Sequence, residues 1–174
     1  MGSEVAKSAN DAMVGQPAAP TNGPDKAAAA VWLLCRAGSH SFALPMPHVI
    51  ETMRPLRIEK LSGAPPLVLG LSIIRGEPVP VIDTAMLFDD QLTNCKRLIT
   101  ARTGNRTIAF AVEAVLGVQA IPSHELERLP ALLRNVEAIE AIKTLDEELV
   151  FFLNTARIIP EGALDLCNSE QVEA

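Results

Sequence analysis

The chain has no tyrosine and only 3% aromatic residues across 174 positions. That leaves few flat rings on which unpaired bases or sugars could stack. Cations are short as well: 15 Lys and Arg against 21 Asp and Glu give a net charge of −6 and a pI near 5.1. A grip on phosphate backbones needs a surplus of Lys and Arg on one face, so no nucleic-acid partner is expected. The three cysteines, Cys35, Cys95 and Cys167, lie far apart with no C-x-x-C spacing and no histidine at ligand distance. Neither a disulfide framework nor a zinc site follows from them, and a reducing compartment fits best. His40, His48 and His124 are isolated from one another and form no triad or metal cluster. No apolar run approaches the roughly 18 residues of a membrane span, and the N-terminus has no signal-peptide pattern. The expected protein is cytoplasmic, without direct membrane insertion. A phosphate-cradling glycine loop and a nucleophile elbow are both missing, so no cofactor is expected.

What is present is a β pattern. Residues 1–29 mix Ala, Pro, Gly, Ser, Asn and charge without period and read as a disordered tail; residues 162–174 read as a second tail. Between them, over 30–161, lie short runs rich in Val, Ile, Leu and Thr, punctuated by turn residues. Four hairpins are expected, turning at Ala37-Gly38-Ser39-His40, at Arg75-Gly76-Glu77, at Gly104-Asn105 and near Asp146-Glu147-Glu148. In the third, Ile108, Phe110 and Val112 alternate as a half-buried strand should. Helical content is small: a turn or two in "DTAMLFDD", a helix in "SHELERL" with Ser123 as N-cap, and a closing turn from Asn154. Trp32 reads as core.

Two carboxylates stand beside apolar runs. Val81-Ile82-Asp83-Thr84-Ala85 resembles the Asp-Thr-Gly loop of aspartic peptidases, which pair two carboxylates across a dimer. Ala85 replaces the glycine, and the competing reading makes Asp83 the cap of the turn after a strand. Glu113 faces solvent or caps a strand end on the same reasoning. Arg75, at a hairpin tip between Ile74 and Gly76, reads instead as a binding residue, because arginine is over-represented where a few side chains dominate contact energy.

Taken together the segments resemble the CheW-like domain, the adaptor of bacterial chemotaxis. "SFALPMPHVIETM" carries Val49 and Glu51, "LVLGLSIIRGEPVPVIDTAMLF" is similar to the family's Leu-Arg-Gly hairpin and P-V-I-D strand, and "RLITARTGNRTIAFAVEAVLGV" matches the second-half hairpin. The likeness runs from about Val31 to Pro160. Ile73 stands in place of the usual Asn, Thr84-Ala85 in place of Leu-Arg, and Glu113 in place of Asp. The resemblance implies a mainly β fold of two small five-stranded SH3-like barrel subdomains around a shared core, with a few short helices and no active site. It implies two partners, the regulatory domain of a CheA-like histidine kinase and the cytoplasmic tip of methyl-accepting chemoreceptors, met at arrays on the inner membrane. Val49, Glu51, Gly70, Leu71, Ile74 and Arg75 are the implied contact residues, with Val49, Leu71 and Ile74 as exposed apolar positions that dock a helix in the groove between barrels. A receiver domain or kinase bundle is not expected on this chain.

Overall fold

The computed structural model describes residues 28–89, 91–133 and 137–159. The tail readings fall outside those residues, apart from the last two positions of the first. Ten strands follow in order: β1 Ala29–Ala37, β2 His40–Pro45, β3 Val49–Met53, β4 Val68–Ile74, β5 Glu77–Asp83, β6 Arg97–Thr103, β7 Arg106–Val112, β8 Ala114–Pro122, β9 Ile139–Leu145 and β10 Glu148–Leu153. Helix is confined to single turns of 3-10 type. The four hairpins form where glycine or paired turn residues allow left-handed backbone: Gly38, Arg75-Gly76, Gly104 and Asp146-Glu147 all have positive φ. Each turn is two residues long, so Glu77 and Glu148 open strands rather than sit in loops.

The strands make two five-stranded sheets, β8-β1-β2-β10-β9 and β3-β6-β7-β5-β4. Each closes into a barrel by the same device. The chain leaving β3 returns along the free edge of β4, where Glu59 and Leu71 exchange backbone hydrogen bonds of 2.8 and 2.9 Å. The chain leaving β8 does so along β9, with Glu127 and Ile142 bonded at 2.9 Å in both directions.

The orders reveal two copies of one five-strand pattern, β1–β5 and β6–β10, that have exchanged their first hairpins. Hairpin β1–β2 completes the sheet of β8–β10, and β6–β7 completes that of β3–β5. Both copies carry a bulge at the same place: Val49 and Glu51 flank the extra residue Ile50 opposite Ala101 and Thr100, and Val115 and Gly117 flank Leu116 opposite Cys35 and Leu34.

Burial follows the topology. Trp32, Ala43, Ile121, Val150 and Phe152 fill the first barrel, with Trp32 and Phe152 edge to face at 4.9 Å. Ile74, Val79, Val81, Leu98 and Ala109 fill the second. A third cluster draws on both sheets, with Leu33, Cys35, Phe42 and Leu44 meeting Ile82, Ile99, Ile108 and Phe110. The shared core is what fixes one barrel against the other.

The expected helix at Ser123 is corrected to one 3-10 turn, Ser123–Glu125, preceded by Pro122 with no side-chain cap. A capping hydroxyl at Pro122 is impossible, and the chain must turn back toward its bridge at Glu127 too soon for a helix to grow.

Candidate functional site

The surface singled out by sequence centres on the β4–β5 tip. Arg75 (φ 53°) and Gly76 (φ 87°) both lie in the left-handed region, the geometry that matches the twist of a two-residue hairpin. Gly76 takes this conformation freely, whereas at Arg75 it is strained for a side chain with a Cβ. The Arg75 side chain is 79% exposed and turns back onto β3. Its Nε and Nη2 donate to Oε1 and Oε2 of Glu51, both at 2.7 Å. This two-pronged geometry fixes the guanidinium plane. Hydrogen bonding to Arg75, more than its charge, holds the Glu51 carboxyl below the ordinary value. Because β3 and β4 are the two ends of the sheet order, the pair spans the seam of the barrel.

The six implied contact residues divide. Val49, Glu51 and Arg75 reach the surface at the seam. Gly70 is buried, with φ 145°, and a Cβ there would stand 2.1 Å from the carbonyl oxygen of Glu59. Leu71 is half-buried and engaged with Glu59 through the backbone. Ile74 is corrected: it is 7% exposed and packs inside the second barrel with Val79 and Leu98, so it is not a docking residue. Strand alternation gives the reason, since the residue on the outer face is its neighbour Ile73, 62% exposed and opposite Pro78. Ile50, 47% exposed at the β3 bulge, is the other apolar side chain that sequence reasoning missed.

Asp83 is fully buried at the end of β5. Its Oδ1 accepts from the backbone of Ala85 and from the hydroxyl of Thr93 at 2.5 Å, while the Thr93 amide donates to both carboxylate oxygens at 3.1 Å. A carboxylate so occupied, with no path for a substrate, cannot serve a peptidase. The equivalent of Asp83 in the other half is Asn154, whose Oδ1 accepts from Ala156 at 3.1 Å and caps the turn Thr155–Arg157. Capping is therefore the role in both halves.

The remaining chemistry-bearing side chains are structural. His48 Nδ1 lies 2.6 Å from the hydroxyl of Thr155, and His40 stacks on Phe88 at 5.1 Å. His124 sits in the turn after β8. Glu113 faces Lys96 at 3.6 Å. Burial pushes the Cys35 thiol up to about 12 and raises Cys95 as well, which removes both as nucleophiles; Cys167 lies outside the described residues. Among the described residues no three His, Cys, Asp or Glu side chains converge as metal ligands, and no helix is long and apolar enough to cross a membrane.

Comparison with known proteins agrees with this geometry. The chain is 30% identical over 98 residues to the chemotaxis protein CheW of Thermotoga maritima, covering 54% of this chain and 64% of that protein. It is 25% identical over 150 residues to protein FrzA of Myxococcus xanthus, covering 78% of this chain and 92% of that one. The crystal structure of the scaffolding protein TtCheW from Thermoanaerobacter tengcongensis superposes with a TM-score of 0.68 at 19% identity, over 78% of this chain and 95% of the other. Residues 31–162 match the CheW-like domain as a whole, and the chain belongs to that family.

Proposed function

We propose that the protein is a non-catalytic chemosensory adaptor of the cytoplasm. It couples chemoreceptors to a histidine kinase through protein contacts alone. The observation that carries this reading is the Arg75 tip: an exposed guanidinium aimed by Glu51, with Val49, Ile50 and Ile73 exposed or half-buried on the same two edge strands. An arginine anchor beside apolar side chains suits the tip of a receptor's helical hairpin, whose apolar face packs on the isoleucines. The kinase's regulatory domain, itself of this fold, takes a separate face.

The test is charge reversal in a reconstituted receptor–kinase assembly. Arg75→Glu places two carboxylates at the seam, so receptor-dependent kinase activation is expected to fall roughly tenfold or more, the loss typical of a central arginine anchor. The exchanged pair Glu51→Arg with Arg75→Glu restores the ion pair and the melt while leaving coupling impaired. Normal coupling by a folded Arg75→Glu variant overturns the site. Failure of the full chain to bind any histidine kinase regulatory domain of the source cell, or peptide cleavage at acidic pH that depends on Asp83, overturns the adaptor reading itself.

A further inference from the structure

The exchanged-hairpin pattern gives every residue of the Arg75 site a counterpart in the other barrel, and the counterparts have different chemistry. Ile74 and Glu77 close the β4–β5 tip as Leu145 and Glu148 close the β9–β10 tip, so Asp146-Glu147 stands where Arg75-Gly76 stands. The bulges make Val115, Leu116 and Gly117 the equivalents of Val49, Ile50 and Glu51. Where Arg75 lies over Glu51, the first barrel therefore offers two carboxylates and a glycine. Gly117 has no Cβ, and one built there would face open space.

The surroundings of this notch are apolar and uncovered. Val115, Leu116 and Val118 on β8 are 37%, 48% and 57% exposed, and Val31 on the neighbouring strand 39%. Val118 pairs across the ladder with Leu33 and Val115 with Cys35, so these side chains extend the face of the shared core outward. Asp146 and Glu147 are exposed, and no cation among the described residues pairs with them. Charge is divided in the same sense. Residues 49–112, the second barrel, hold eight Lys and Arg against six Asp and Glu; residues 29–48 with 113–159, the first barrel, hold five against eight.

We propose that this notch is a second docking site, for a protein segment that presents a lysine or arginine beside apolar side chains. The incoming cation takes, between Asp146 and Glu147 and over Gly117, the place that Arg75 occupies in the other barrel. Its apolar neighbours cover Val115, Leu116 and Val118. Complementary charge favours a basic segment over an acidic one, and the inference stands whichever partner occupies the Arg75 site.

The experiment titrates the isotope-labelled full chain with a basic amphipathic peptide of leucine and lysine, and with its leucine–glutamate counterpart, following backbone amide resonances. The basic peptide is expected to move Val115, Gly117, Val118, Asp146 and Glu147 together. Asp146→Asn with Glu147→Gln keeps residues that tolerate the turn and weakens binding about three- to tenfold, the scale of two rim charges. Arg75→Glu leaves it unchanged. Shifts spread over acidic residues generally, equal binding of the acidic peptide, or an undiminished affinity in the double variant each overturn the proposal. Binding of a second copy of the chain through its own Arg75 tip, detected as self-association lost in Arg75→Glu, overturns the assignment to a separate partner.

Discussion

Replacing Asp83 tests whether that carboxylate belongs to the fold or to chemistry. In Asp83→Ala the hydroxyl and amide of Thr93 lose their acceptor, and the Ala85 amide keeps only the Thr93 hydroxyl at 3.0 Å. Hydrogen bonds to charged acceptors contribute about 1.5–3 kcal/mol each, and donors left dry carry a further penalty. The bonds share one anchor and are not additive, so the expected cost is about 3–5 kcal/mol rather than their sum. For a chain of this size that lowers the melting temperature by roughly 6–20 °C. Asp83→Asn keeps one acceptor oxygen, as Asn154 does in the other half, and is expected to cost about half as much. Urea and thermal unfolding of both variants by circular dichroism decide the matter. A melt for Asp83→Ala within about 2 °C of the parent would refute the capping argument and reopen a role for a free carboxylate.

Thr84 and Thr155 are equivalent, yet the Thr84 hydroxyl is buried without a partner while that of Thr155 meets His48. Thr84→Val is therefore expected to change stability by less than about 1 kcal/mol or to raise it, and Thr155→Val to cost about 1–3 kcal/mol, both read from chemical denaturation. Phe110→Ala removes a ring from the core shared by the two barrels and is expected to cost about 3–5 kcal/mol with both melting as one transition; a loss below about 1 kcal/mol would place the ring elsewhere. Gly70→Ala drives a methyl into the Glu59 carbonyl and is expected to destabilise by several kcal/mol, about 3 or more, before any binding is measured. The hydroxyl of Ser41, and then Arg36, hold Glu148 below the ordinary 4.5. Its folded value is depressed, so it adds stability above the unfolded value and loses it as pH falls through the folded one. A Ser41→Ala variant is thus less stable than the parent near neutrality and converges with it in acid, as thermal melts across that range will show.

The hairpins were legible because their signals are local. A turn that needs left-handed backbone calls for glycine, asparagine or aspartate, and the flanking runs have strand composition. What was hidden is non-local or depends on parity. "LVLGLSII" is apolar at nearly every position, so nothing in it says that Ile74 points inward and Ile73 outward. The bulge that lifts Ile50 out of register is set by the partner strand β6, not by its own sequence. Gly70 looks like a contact residue until the chain after β3 is seen crossing it. Arg75 was chosen correctly as an exposed tip, but its clamp on Glu51, 24 residues earlier, could be found only once the barrel was closed.

The exchange of hairpins also bears on how an adaptor would work. Had each half folded on itself, two barrels joined by a linker could tilt freely, and a contact on one would say little to the other. Here β1–β2 belongs to one half in sequence and to the other in space, and the same strands line the shared core through Leu33, Cys35 and Phe42. Neither barrel can move as a body without dragging a strand pair of the other half or opening a close-packed interior, and such interiors transmit strain rather than absorb it. A load at the Arg75 seam, which ties β3 to the β4–β5 tip, is therefore carried through β6 and β7 into the core against which β1 and β2 pack. The acidic notch on β8 hangs from β1. Two surfaces of opposite charge thus sit at the two ends of one continuous packed path.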